Sequence, residues 1–205
     1  MLSTLTWSFA LTALLVELTP GPNMVWLALL SARKGRMAGF AACLGIALGL
    51  ALLALAAIFG LARLLAQFPL IYMGLCLAGV AFMVWLAWDA WRDPTSQRSP
   101  AEASGRGLAE AFHRGLVINV LNPKAALFFL TVLPSFADPE HDLTGQYLVL
   151  SAIYVLVASS IHVALVLGGE ALGQFVQTQA SSIRVRAFSA LALLGVAGWM
   201  LLKIW

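Results

Sequence analysis

Six apolar stretches, each long enough to cross about 30 Å of hydrocarbon, dominate this sequence. They lie near Ser3–Leu30, Met37–Leu64, Leu70–Trp91, Gly115–Leu133, Leu143–Gly168 and Phe188–Ile204. Within lipid no water satisfies backbone N–H and C=O groups, and an apolar run of this length satisfies them internally as a helix. Composition agrees: 61% of the 205 residues are hydrophobic and 10% are charged, too little polar surface for a soluble domain. The expected fold is an all-α polytopic membrane protein. The first stretch is read as a membrane span, because Met1–Trp7 lacks the basic region of a signal peptide and the apolar run continues to Leu30.

Basic residues give the orientation. Arg33, Lys34 and Arg36 follow the first span; Arg92, Arg98, Arg106 and Arg114 follow the third; Arg184 and Arg186 precede the sixth. Those loops share one side and hold nine of the twelve Lys and Arg residues. The opposite side has Arg63, Lys203 and the acidic loop Asp138, Glu140, Asp142. The topology is therefore N-out and C-out. The net charge of +3 is a topology signal and implies no nucleic-acid partner. Trp85, Trp88 and Trp91 mark the inner end of the third span, and Trp7 and Trp205 mark outer ends, at headgroup depth.

The segment 93–114, rich in Pro, Ser and Gly, reads as a cytoplasmic linker between a three-helix repeat over 1–92 and a second over 115–205. Three is odd, so the second repeat enters the membrane inverted. The first helix of each repeat carries a proline break: Thr19-Pro20-Gly21-Pro22-Asn23 in one, Asn122-Pro123-Lys124 in the other. Proline has no N–H and displaces the carbonyl four residues back, so backbone groups near Val16, Leu18 and Asn119 should lose their helical partners. Matched breaks in two halves are the best sequence pointer to a transporter's binding site.

Thr19 and Asn122 suit helix N-caps, each with proline at the next position. The first span runs inward and the fourth outward, so two half-helix N-termini should face one depth from opposite sides. Each offers unpaired N–H donors and roughly half a positive charge, and Lys124 adds a whole one. That arrangement suits a carboxylate; plain proline kinks are the structural alternative. The candidate substrate-binding residues are Thr19, Pro20, Gly21, Pro22, Asn23, Asn119, Asn122, Pro123 and Lys124.

Thr-Pro-Gly-Pro-Asn-Met at 19–24 and Asn-Val-Leu-Asn-Pro-Lys-Ala-Ala-Leu-Phe-Phe at 119–129 resemble the two signature segments of the lysine-exporter (LysE/RhtB) family. The likeness extends to the basic turn Arg33–Arg36, the glycines Gly39, Gly45 and Gly49, and residues 133–139. It implies a bacterial cytoplasmic (inner) membrane exporter of amino acids or related metabolites, driven by the proton gradient. It also maps substrate binding onto Pro20, Gly21, Pro22, Asn122, Pro123 and Lys124. Glu17 stands outside that pattern.

An unpaired charge at mid-bilayer costs about 2.5–3.5 kcal/mol, so Glu17 needs a partner. It either pairs with Lys124 and holds the repeats together, or exchanges a proton and meets Lys124 or a substrate ammonium in some states only. His162 is the second proton-coupling candidate; its alternative is a bond to a nearby backbone carbonyl. Asp89 is expected to pair with Arg92 one turn away, and Glu170 to lie near the membrane edge. Gly45 and Gly49 form a small-residue face for close helix approach, within a protomer or between protomers of a homo-oligomer.

Cys43 and Cys76 read as small core residues. Three scattered histidines make no metal site, no cofactor is implied, and no phosphate-binding loop appears, so an ion or substrate gradient must supply the energy. Two other classes stand against an exporter: a metal-cation transporter of the same fold, which would want several buried carboxylates, and a non-transporting scaffold or redox carrier, which would not need matched breaks. The particular substrate is not legible. A cavity among Val16, Met24, Trp26 and Phe128 would select an apolar or small polar side chain.

Overall fold

The structure is a computed structural model and describes residues 2–18, 21–60, 67–92, 105–138, 140–176 and 183–204. Every regular element among them is a helix. In chain order these are α1 (Leu2–Leu18), α2 (Pro22–Lys34), α3 (Arg36–Ile58), α4 (Pro69–Arg92), α5 (Gly105–Val120), α6 (Pro123–Ser135), α7 (Leu143–Val176) and α8 (Ile183–Ile204). Within α6 the winding is α over Pro123–Leu127, π over Phe128–Val132 and α again over Leu133–Ser135.

Two described helical stretches, Arg36–Ile58 and Leu143–Gly169, are long and apolar enough to cross a membrane unbroken. Two further candidates are bent pairs. The axis turns by 61° between Thr6–Leu18 and Pro22–Lys34, and by 48° between Gly105–Val120 and Pro123–Ser135. Those are the first and fourth expected spans, and both bend at their proline motifs. The third and sixth correspond to α4 and α8, whose apolar stretches among the described residues, Cys76–Asp89 and Ala190–Leu202, are shorter. α7, with 34 residues, is about 50 Å long and exceeds the hydrocarbon thickness.

One expected boundary shifts. The stretch read as linker is helical from Gly105 onward, so α5 begins ten residues before Gly115; residues 93–104 lie outside the described set. The local cause is an amphipathic helix: Ala111, Gly115, Ile118 and Asn119 are buried on one face, while Glu110 pairs with Arg114 one turn on. At the other basic turn, α2 and α3 are joined by Gly35 alone. Its φ of 84° is readily reached only by glycine, and its N–H closes on Ser31 O at 3.0 Å.

In lipid, helices gain little by hiding apolar side chains and associate through close packing. α3 packs along α5, α2 and α3 pack on α7, α1 packs on α7, and α4 packs on α8. Glycine sets the α3–α5 approach. Gly45 lies against the backbone of Phe112 and Leu116, Gly49 against the Asn119 side chain, and Gly115 against the backbone of Ala42. The small-residue face of the second span is thus used within the protomer.

Two apolar clusters fill the bundle. One gathers Trp26, Leu27, Ile46, Met83, Val166 and Met200; the other gathers Phe9, Leu50, Phe128, Leu133 and Tyr154. On α3, Ile46 belongs to the first and Leu50 to the second, and Gly49 between them meets Asn119. Of the buried polar residues, Glu17, Asn23, Asn119 and Asn122 lie at and beside the breaks, and His162 of α7 faces Glu17. Trp26 belongs to the first cluster and Phe128 to the second, with Val16 packed against the second.

Candidate functional site

At the first break α1 stops at Leu18 and α2 starts at Pro22, with Gly21 as an extended N-cap (φ −147°, ψ 177°) that supplies no side-chain cap. Pro22 disfavours helical geometry in the residue before it, which fits an extended Gly21 and a helix that starts at Pro22. Thr19, the expected cap, and Pro20 lie outside the described residues.

The second break follows the expected pattern. Asn122 is extended, its Oδ1 accepts the Lys124 backbone N–H at 3.0 Å, and Pro123 takes the first helical position. Asn119 O, which loses the N–H that proline lacks, accepts instead from Asn122 N–H at 3.0 Å. The expected orphan carbonyl is therefore satisfied by a tightened turn.

The two breaks meet. A side chain added at Gly21 would begin 3.4 Å from Lys124 Cδ and 3.8 Å from its Nζ. Lys124 Nζ reaches the Glu17 carbonyl at 3.5 Å, at the open end of α1, and Glu17 Oε1 at 3.7 Å. A second link joins the same two broken spans, from α2 to α5: Asn23 Nδ2 donates to Asn119 Oδ1 at 2.6 Å. Both amides are buried, and Asn23 Oδ1 and Asn119 Nδ2 have no hydrogen-bond partner among the described residues.

Glu17, 6% exposed, is the hub. Tyr154 donates its hydroxyl to Oε1 at 2.7 Å. His162 Nε2 stands 3.9 Å from Oε2, is buried and has no hydrogen-bond partner among the described residues. An arrangement of one carboxylate, one ammonium, one imidazole and one phenol at two helix breaks can hold a small charged group and move a proton. Tyr154 escaped sequence reasoning. Its signal was the spacing Tyr154, Ala158, His162, which puts all three on one buried face of α7.

Elsewhere the expected pairing of Asp89 is corrected. Its partner is Arg114 of α5, which also pairs with Glu110 and lies 4.7 Å above the Trp85 ring. Arg92 instead sits over Trp88 at 5.1 Å. A long arginine reaching across from another helix satisfies Asp89 where the sequence offered a neighbour one turn away. Cys43 and Cys76 are buried and form no disulfide. The Glu170 side chain lies outside the described residues.

Residues 14–203 match the family model described as LysE type translocator. The chain belongs to that family. It is therefore a multi-pass membrane transporter and not an enzyme. This LysE-type chain is 34% identical over 161 residues to an uncharacterized membrane protein of Pseudomonas aeruginosa, covering 75% of this chain and 74% of that protein. It is 28% identical over 156 residues to the homoserine/homoserine lactone efflux protein of Salmonella typhimurium (75% and 76% covered). It is 25% identical over 175 residues to the leucine efflux protein of an Enterobacter species (84% and 83% covered). No solved structure matches it.

Proposed function

We propose that this translocator is a proton-coupled exporter of amino acids or closely related small metabolites across the bacterial cytoplasmic membrane. The substrate's carboxylate is held beside Lys124, where the two broken helices meet. The observation that carries this reading is the seat of Lys124: it projects from the first turn after one break, across Gly21 at the other, into the reach of Glu17. The likeness to efflux proteins for homoserine and for leucine supports a small amino acid as cargo.

Around that site we arrange two inverted three-helix repeats, over 1–92 and 115–205, with both termini outside. Reciprocal packing supports it. α3, which follows the first broken span, packs on the second broken span through α5; α7, which follows the second, packs on the first through α1 and α2. The third helices of the repeats, α4 and α8, pack on each other. The substrate-binding set remains Thr19, Pro20, Gly21, Pro22, Asn23, Asn119, Asn122, Pro123 and Lys124, with Glu17 and His162 as the proton-coupling groups. A metal-cation carrier of the same fold is the weaker reading, because an ammonium 3.7 Å from Glu17 Oε1 repels a metal at that carboxylate.

The reading is tested in cells loaded with a panel of dipeptides, following release of each constituent amino acid. Expression should accelerate release of one or a few of them and Lys124→Gln should abolish the gain. No acceleration for any amino acid, with the protein correctly inserted, would refute export of this class.

A further inference from the structure

We infer that Tyr154 is a positioning residue that gives the two oxygens of Glu17 separate tasks: Oε1 holds Lys124, and Oε2 exchanges a proton with His162. This rests on the proton-coupled reading above. The titratable groups facing Glu17 among the described residues are Lys124 from α6 and Tyr154 and His162 from α7.

The Tyr154 hydroxyl is fixed by its ring. The side chain is fully buried, stacked on Phe128 with centroids 3.8 Å apart at 12°, and set edge-on to Phe129 at 5.3 Å. Such a ring cannot follow a moving carboxylate, so the 2.7 Å bond to Oε1 fixes which way Glu17 presents itself. Tyr154 and His162 lie on one face of α7, two turns or about 12 Å apart along the axis. Glu17 sits between them, Oε1 toward the phenol and Oε2 toward the imidazole. Oε1 is committed to the Tyr154 donor and lies on the Lys124 side. Oε2 faces the buried His162 Nε2, 3.9 Å away, which has no hydrogen-bond partner among the described residues.

The step this permits balances within the protein. A protonated His162 gives the proton on Nε2 to Glu17 Oε2; the N–H bond breaks, the O–H bond forms, and a neutral imidazole and a neutral carboxyl remain. Neutral Glu17 no longer offers a negative charge to the ammonium of a substrate held beside Lys124, so the substrate leaves as the proton arrives. Return of the proton to His162 Nε2 breaks the O–H bond, re-forms the N–H bond and restores the Glu17 carboxylate, so proton and substrate occupy the site in turn, as export driven by an inward proton gradient requires. Tyr154 keeps Oε1 as the carbonyl oxygen throughout, so the proton always arrives on the His162 side.

Infrared difference spectroscopy of the full-length purified protein, titrated with pH alone, tests this without any substrate. Glu17→Gln identifies the Glu17 carboxyl band. In Tyr154→Phe the C=O stretch of that band should move to higher frequency, because its oxygen has lost a donor. Incorporating 3,5-difluorotyrosine at 154 retains the hydroxyl as a stronger donor and should move the band to lower frequency, whether or not the phenylalanine variant folds. An unchanged band frequency in these variants would overturn the role of Tyr154 while leaving proton coupling intact. A wild-type protein whose Glu17 band never titrates would overturn the proton-coupled reading, and this inference with it.

Discussion

The aliphatic stem of Lys124 crosses Gly21, its Cδ 3.4 Å from where a side chain on that glycine would begin. The two residues are 103 positions apart and come from the two proline breaks, so this contact joins them into one site. Gly21 has an extended backbone that any residue adopts; its value here is space. Gly21→Ala adds a methyl at ordinary contact distance and should leave transport within about twofold, an effect well under 1 kcal/mol. Gly21→Leu fills the seat of the Lys124 stem and should abolish transport while the protein still inserts. Export rates of the two variants, normalised to membrane abundance, check this; equal activity would show that Lys124 does not need the seat.

Asn23 and Asn119 form the other bridge between the breaks. Interhelical hydrogen bonds in membrane proteins contribute about 0.6 kcal/mol on average and up to about 1.7. A double-mutant cycle on Asn23→Ala and Asn119→Ala, read by unfolding in detergent, should return a coupling energy near the top of that range, about 1.5 kcal/mol, because both amides are buried. A coupling near zero would mean that the bond is not kept in the membrane-embedded protein.

Glu17→Gln retains an oxygen for Tyr154 but removes the exchangeable charge. The variant should fold, and its export should become insensitive to external pH and to uncouplers, running only down the substrate's own gradient. Flux measurements in liposomes with and without an imposed pH gradient decide it. Undiminished uphill export would remove Glu17 from the coupling path.

Gly45 tests the packing that sets the depth of the breaks. A methyl there would strike the backbone of Phe112 and lie 2.9 Å from Leu116 N, and backbone cannot move aside as a side chain does. Gly45→Ala should destabilise by about 1–3 kcal/mol and lower the melting temperature measurably. Gly74→Ala, with open space around it, is the control and should have no effect.

Much of this was readable from sequence because lipid leaves few choices. The bends at Pro20–Pro22 and at Pro123, the cap supplied by Asn122 and the nearness of Glu17 to Lys124 follow from proline chemistry and the cost of a bare charge in hydrocarbon. The features that escaped depend on rotation about helix axes and on long side chains. Tyr154 looked like one more aromatic in an apolar run until α7 turned it toward Glu17. Asp89 had Arg92 at helical spacing, yet Arg114 reaches it from a different helix. The start of α2 at Pro22, with Gly21 as its N-cap, depends on which of two closely spaced prolines opens the helix.

The central claim is that Lys124 binds a carboxylate, and the most direct measurement is thermal stability of the purified protein against matched ligands. The ligands are the amino acid that the export assay identifies and its decarboxylated amine, each titrated into wild type and Lys124→Met, which keeps the aliphatic stem without the charge. A ligand that binds only the folded state raises the melting temperature. The expected result is a concentration-dependent rise with the amino acid in wild type, no rise with the amine, and no rise with either in Lys124→Met. Equal stabilisation by the amine, or full stabilisation of Lys124→Met by the amino acid, would contradict a carboxylate site at the meeting of the two breaks.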